Sequence, residues 1–351
     1  MAEFDAEDNT GTIPVQDRHK FDMGALDAFM RENVEGYEGP VTAEEFAGGQ
    51  SNPTYLLTTP NKQYVMRRKP PGELLKSAHA VDREYKVMTA LWETDVPVAK
   101  TYALCTDEAV IGSWFYIMDY LDGRVIWDSS AGPYTPEERG QIWDSAGAAV
   151  AKLHCVDFEA VGLSDFGKHG QYVERQLSRW CGQYEYTKTV ENPYMDNLIE
   201  YLPKNIPAND ECTIVHGDLQ IANMMMDKDR FEVTALLDWE LSTLGHPISD
   251  FAYLCRPFRD ALRGADLKAL GIPEEAEFVE TYCKRTGRDS IEDWDYYMAF
   301  NMFRLAAILQ GIAKRVQDGT AASKHAEIAG AGAFDMAKVA WAQIDPSVKL
   351  D

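Results

Sequence analysis

The sequence predicts an α+β fold in two parts, a small antiparallel sheet carrying one helix and then a larger, mainly helical region. Two patterns predict it. Between Thr42 and Asp119 the chain reads as short strands broken by one helical stretch, and after Leu121-Asp122-Gly123 it turns to long amphipathic helices. No internal repeat or low-complexity linker interrupts either part. The Asp122-Gly123 turn is therefore the expected boundary between residues 1–121 and 122–351.

In chain order, the first 20 or so residues are polar and aperiodic, which predicts a frayed arm before a short helix over Met23 to Asn33. Strands follow at Glu45-Phe46, Thr54 to Thr58, Gln63 to Arg67, Thr101 to Cys105 and Trp114 to Asp119. The helix among them runs from Ser77 to Glu93, where Val81, Tyr85, Met88 and Leu91-Trp92 recur at helical spacing. Beyond the boundary, helices are expected at Pro136 to His154, Gly170 to Tyr186, Asn192 to Tyr201, Ile248 to Cys255, Glu275 to Arg285, Ile291 to Asp318 and Ala322 to Ile344. A short apolar strand, Cys212 to His216, and a hairpin arm, Phe231 to Leu237, stand between them.

A chain of 351 residues with 45% hydrophobic and 26% charged residues is long enough for one large domain or two lobes with substantial cores. No apolar run approaches the roughly 20 residues needed to span a bilayer, and the acidic start from Met1 to Thr10 is unlike a signal peptide, so a cytoplasmic protein is expected. A formal charge of -23 argues against a duplex nucleic acid partner, which requires a clustered positive field. The acidity fits a solvated surface that favours solubility, or attraction of a cationic substrate. The six cysteines are scattered without a CxxC pair, which predicts reduced thiols.

The chemistry concentrates in Ile214-Val215-His216-Gly217-Asp218-Leu219-Gln220-Ile221-Ala222-Asn223, followed after a hairpin-length gap by Leu236-Leu237-Asp238-Trp239-Glu240. Phosphoryl transfer needs one carboxylate near the attacking hydroxyl and separate oxygen ligands for a magnesium ion that bridges the phosphates. Asp218, Asn223 and Asp238 have that chemistry. A strand ending at His216 puts Asp218 on the loop beyond it, and the hairpin is expected to return Asp238 to the same end.

This arrangement resembles the two-lobed protein-kinase-like fold, in which a His-x-Asp-x-x-x-x-Asn loop precedes a metal-binding Asp. The resemblance assigns Asp218 as catalytic base, Asn223 and Asp238 as magnesium ligands, and His216 to loop geometry. Gly217 stands where protein kinases carry an Arg that pairs with a phosphorylated activation loop, and only Leu241 to Pro247 separates Asp238-Trp239-Glu240 from the next helix. Too little chain remains there to present a peptide, so a small-molecule acceptor is expected. Glu240, in place of a Gly, is left with metal, a neighbour of the metal ligands or solvent as its partner.

The same resemblance places Arg67 on the α and β phosphates of ATP and Glu84 as its helix partner. Strand alternation puts Val65 on the face of Arg67, toward the adenine, with Lys69 the weaker phosphate candidate because Pro70-Pro71 follows. Gly48-Gly49-Gln50-Ser51-Asn52 takes the position of the phosphate-covering loop, with Gly49, Ser51 and Asn52 as nucleotide contacts. Met118, Asp119 and Leu121 take the hinge that meets the purine.

Within that fold the chain resembles the aminoglycoside phosphotransferase family, and especially the kinase domain fused to some acyl-CoA dehydrogenases. Phe46 to Tyr55, Val65 to Gly72, Leu236 to Gly245 and Phe303 to Arg315 carry that likeness. It implies ATP and Mg2+ as cofactors and an alcohol acceptor, a hydroxyacyl-CoA, an aminoglycoside or an amino alcohol. Arg304 and Arg315 either line an acceptor pocket and meet an anionic group, or are surface charge or ion-paired inside the helical region. A nucleotide-binding pseudokinase acting as an interaction module is the alternative, and a metal hydrolase would need ligands beyond His216, Asp218 and His246.

Overall fold

The computed structural model describes residues 11–47, 52–70, 80–320 and 326–350. Its elements run β1 (Thr12–Pro14), α1 (Met23–Asn33), β2 (Thr42–Phe46), β3 (Thr54–Thr58), β4 (Gln63–Arg68), α2 (Val81–Leu91), β5 (Thr101–Cys105), α3 (Glu108–Ile111), β6 (Phe115–Asp119) and β7 (Gly123–Val125). Then come α4 (Pro136–His154), α5 (Tyr172–Thr187), α6 (Pro193–Tyr201), β8 (Thr213–Val215), β9 (Met224–Asp227), β10 (Val233–Leu236) and β11 (Thr243–Gly245). The chain ends with α7 (Pro247–Cys255), α8 (Leu267–Leu270), α9 (Glu275–Thr286), α10 (Trp294–Gln317), α11 (Ala326–Ala331) and α12 (Ala333–Ala342).

These elements form two compact units. The first takes Met1–Trp127, Glu159–Phe166 and Ala222–Ser242, and the second takes Asp128–Phe158, Gly167–Ile221 and Thr243–Asp351. The hairpin β9–β10 joins the first unit because β9 pairs with β7, and at Gly123 a Cβ would stand 2.5 Å from the Met226 carbonyl oxygen. That close approach needs a residue without a side chain.

In the first unit the main sheet is antiparallel, ordered β1-β2-β3-β4-β6-β5. Period-2 alternation sorts its side chains by face. Tyr55 and Leu57 of β3, Tyr64 and Met66 of β4, and Phe115 and Ile117 of β6 bury a core with Leu26 and Met30 of α1. Val65 and Arg67 project from the opposite face of β4, beside α2. The amino-terminal arm is not frayed from Thr12 onward: β1 pairs with β2, and buried Glu45 accepts from the Gln16 amide at 3.1 Å and side chain at 3.0 Å, with His19 Nδ1 at 2.7 Å. A buried carboxylate requires such partners, and aperiodic sequence conceals them.

The second unit is mainly helical. Helix α4 opens on a capping box formed by Thr135 and Glu138, a device worth about 1 kcal/mol. Helix α10 is its axial element, packed against α5, α7, α11 and α12. The expected single helix from Ala322 to Ile344 is instead broken between α11 and α12 at Gly332, and residues 322–325 lie outside the described residues. Gly330 and Gly332 lower local helix propensity, and a Cβ at Gly330 would approach the Ala313 backbone to 2.8 Å.

The two-stranded ladder β8–β11 pairs Val215 with Thr243 and holds the start of the loop that follows β8. All six cysteines are free, and among the described residues no helix is long and apolar enough to cross a membrane.

Candidate active site

Each unit assembles its own set of polar residues. In the first unit Arg67 is the centre. Its Nε lies 3.0 Å from Glu84 Oε2 off the line of a hydrogen bond, its Nη2 donates to Asp238 Oδ1 at 2.6 Å, and Nη2 lies 3.9 Å from Glu240 Oε2. Glu84 is buried and also accepts from Tyr116 Oη at 3.0 Å and Asn52 Nδ2 at 3.0 Å. The ladder makes this possible: Tyr116 is opposite Arg67, as Met118 is opposite Val65. Lys69 is engaged elsewhere, with its ammonium 4.0 Å from the centroid of the Trp114 ring.

One guanidinium among three carboxylates leaves surplus negative charge. Burial pushes the Glu84 carboxyl up to about 7, against the pull of Arg67, and Asp238 and Glu240 push the same way. Burial disfavours the Arg67 cation, but Glu84, Tyr116 and Asp238 together raise its pKa above the usual value. Glu84→Gln should therefore remove a pH-dependent penalty. A carboxyl whose pKa rises from 4.5 toward 7 on folding binds its proton more tightly in the folded state, so its contribution to stability falls as pH rises through that window. Thermal midpoints of wild type and Glu84→Gln are expected to converge near pH 4.5 and to separate toward pH 7 with wild type the less stable.

The hairpin brings Asn223 and Asp238 to one end. Leu236 is paired with Met224, and the Leu237 amide donates to the Asn223 carbonyl at 2.8 Å, so the residues flanking that bond are the two oxygen-bearing side chains. Asp238 adopts left-handed backbone, φ 64° and ψ 60°, uncommon for a non-glycine residue and typical of functional turns. Helix α2 is tied to the segment beyond it, since Arg83 Nη2 donates to the carbonyls of Phe166 at 2.7 Å and Ser242 at 3.3 Å.

Oxygen donors together with a surplus of negative charge suit magnesium, which takes one or two carboxylates and completes its shell with water and phosphate. Asn223 and Asp238 would hold it. Among the described residues no group of three or more His, Cys, Asp and Glu could hold a metal ion. His246 is the N-cap of α7, stacked on Tyr297 at 5.0 Å.

Of the remaining nucleotide candidates, Gly49 and Ser51 lie outside the described residues, and Asn52 is buried against Glu84. The Asp119 side chain is held by Tyr102 at 2.7 Å and Lys62 at 2.8 Å, and its amide donates to the Lys100 carbonyl at 2.8 Å. A purine contact by Asp119 would therefore use its carbonyl oxygen. Met118 and Leu121 are half-buried.

In the second unit the loop after β8 is built on Asp250 of α7. Its Oδ2 accepts the His216 amide at 2.7 Å and its Oδ1 the Gly217 amide at 2.9 Å, and Oδ2 lies 3.3 Å from His154 Nε2. Burial by itself raises the Asp250 pKa, but His154 and His216 overcome this and hold it below the usual carboxylate range. Gly217 has φ +84°, a conformation that favours glycine. His216 is fully buried, and its Nδ1 accepts the Asp218 amide at 3.3 Å. Asp218 Oδ2 accepts from Gln220 Nε2 at 3.2 Å.

Sequence reasoning did not find Asp250, His154, Tyr116 or Arg83. Each reaches its partner across more than 25 positions of chain, and none lies in a recognisable motif.

The phosphotransferase enzyme family matches residues 42–300, well over half of the chain. The chain belongs to this family. Its relatives include mouse acyl-CoA dehydrogenase family member 10, 39% identical over 339 residues, which cover 94% of this chain and 32% of that protein. The chain thus spans about a third of that relative's length.

Among solved structures, one described as a candidate aminoglycoside phosphotransferase from Ralstonia eutropha superposes with a TM-score of 0.88 at 49% identity, covering 94% of this chain and all of that one. An aminoglycoside phosphotransferase in ternary complex with ADP and hygromycin B shares the fold, with a TM-score of 0.58 at 12% identity over 90% of this chain and 97% of that one. This member of the phosphotransferase enzyme family accordingly has the kinase-like α+β fold.

Proposed function

We propose that the protein transfers the γ-phosphoryl group of ATP to an alcohol of a small acceptor. The observation that carries this reading is the Arg67 cluster, in which a strand cation is held by a buried helix glutamate and by Asp238 at the end of the hairpin that also presents Asn223. Arg67 binds phosphate oxygens, and Glu84 fixes its direction. Asn223 and Asp238 would hold a magnesium ion, which when bound would neutralise charge on the phosphates. Asp218 orients the acceptor hydroxyl and takes its proton as the oxygen bonds to phosphorus and the bond from phosphorus to the bridging oxygen of ADP breaks.

For the acceptor, the likeness to acyl-CoA dehydrogenase family members favours a hydroxyacyl-CoA, and the likeness to an aminoglycoside kinase favours an aminoglycoside. A panel of hydroxyacyl-CoAs, aminoglycosides and amino alcohols, scored by Mg-dependent formation of ADP and of phosphorylated product, distinguishes them. One class is expected to stimulate ADP formation with stoichiometric product. Nucleotide binding without product from any class would instead support the interaction-module reading.

A further inference from the structure

Arg304 is a buried cation that the chemistry above does not use. It sits in the middle of α10, is 7% exposed, and has no carboxylate within 4.0 Å among the described residues. Burying a cation without a counter-charge costs several kcal/mol in general, so its contacts must offset that cost. They converge on one place. Its Nη2 donates to the Gly217 carbonyl at 2.5 Å, and its guanidinium carbon lies 4.9 Å from the centroid of Tyr253 and 5.8 Å from that of Trp180.

The Gly217 carbonyl belongs to the peptide that enters Asp218. The N–H of that same peptide donates to His216 Nδ1 at 3.3 Å, so the peptide plane is fixed at both its oxygen and its hydrogen. Asp250 holds the two preceding amides. Gly217 at φ +84° has no side chain to restrict rotation about this plane. Burial, and then the negative charge of Asp218, raise the phenol of Tyr253, the ring beneath the guanidinium, above its ordinary value. Arg304 thus reaches Asp218 through the backbone that carries it, with its own guanidinium placed over the Tyr253 ring.

We infer that Arg304 is the positioning residue for Asp218, a buried guanidinium that locks the Gly217-Asp218 peptide and the Tyr253 ring in one arrangement. The inference rests on Asp218 being the base, as proposed above.

The test uses the full chain with Arg304→Met, which keeps the apolar stem, and Arg304→Lys, which keeps a donor. Hydrogen exchange is read over residues 214–221, and turnover of MgATP is read with water as acceptor. For Arg304→Met, exchange at the Gly217 and Asp218 amides is expected to rise about tenfold or more, and kcat to fall by about tenfold or more, with KM for MgATP within about twofold of wild type. Arg304→Lys should recover part of both effects. In an Asp218→Ala background, Arg304→Met should lower residual turnover no further.

Unchanged exchange over 214–221 would overturn the inference, as would an equal rise across α5 and α9, which would make Arg304 a general stabiliser. The same fractional loss recurring in Asp218→Ala would also overturn it, because Arg304 would then act by another route. Wild-type turnover in Asp218→Ala alone would refute the base assignment, and the exchange result would still report on the clamp.

Discussion

Asp218→Ala is expected to lower kcat for the stimulating acceptor by about 10²–10⁴-fold, the usual contribution of a positioned general base. The loss should appear in kcat, with KM for MgATP little changed, because the base meets the acceptor hydroxyl and its proton. The loop around it is held by Asp250, His216 and Arg304 through backbone groups, so removing the Asp218 side chain leaves that frame in place. A thermal midpoint close to wild type is therefore expected alongside the kinetic loss. Steady-state kinetics at saturating MgATP check the first claim and a thermal scan the second. Turnover at the wild-type rate would remove Asp218 from the mechanism.

Asp238→Ala should cost about 10²–10³-fold in turnover, the range for losing one group that stabilises transition-state charge. It also changes the resting cluster. Without Asp238, Arg67 keeps Glu84 at 3.0 Å but loses the 2.6 Å bond that joins it to the hairpin. Nucleotide affinity without magnesium is expected to hold or improve, since a competing carboxylate has left the phosphate-binding cation, while the magnesium-dependent gain in affinity should disappear. Calorimetric titration of ADP with and without Mg2+ separates the two effects. A magnesium-dependent gain equal to wild type would show that Asp238 is not a ligand.

Both expectations rest on residues visible in the sequence, and the reason is local. His216 to Asn223 and Asp238 to Glu240 are continuous segments whose residue types and spacing carry the proposed chemistry. Val65 and Arg67 were assigned to one face because alternation along a strand is a period-2 property of the backbone. The helices from Met23 to Asn33 and from Pro136 to His154 were legible for the same reason, since caps and apolar periodicity lie within the segment.

Other features depended on partners distant in the chain. The pairing of Thr12–Pro14 with β2 is decided by the exposed edge of a sheet and by Glu45, which needs donors once buried. Glu84 is expected from sequence as the helix partner of Arg67, whereas its burial and its acceptance from Tyr116 and Asn52 come only with the tertiary structure.

Arg304 carries the same lesson. From sequence it was equally a pocket cation or one engaged in ion pairing, and the tertiary structure gave it a backbone carbonyl and two aromatic faces. The sequence by itself determined the family, the fold class and most of the helices and strands, because these are written in short-range spacing. Only the tertiary structure decided which buried charges face one another, because desolvation and pairing depend on neighbours that chain packing, not spacing, supplies.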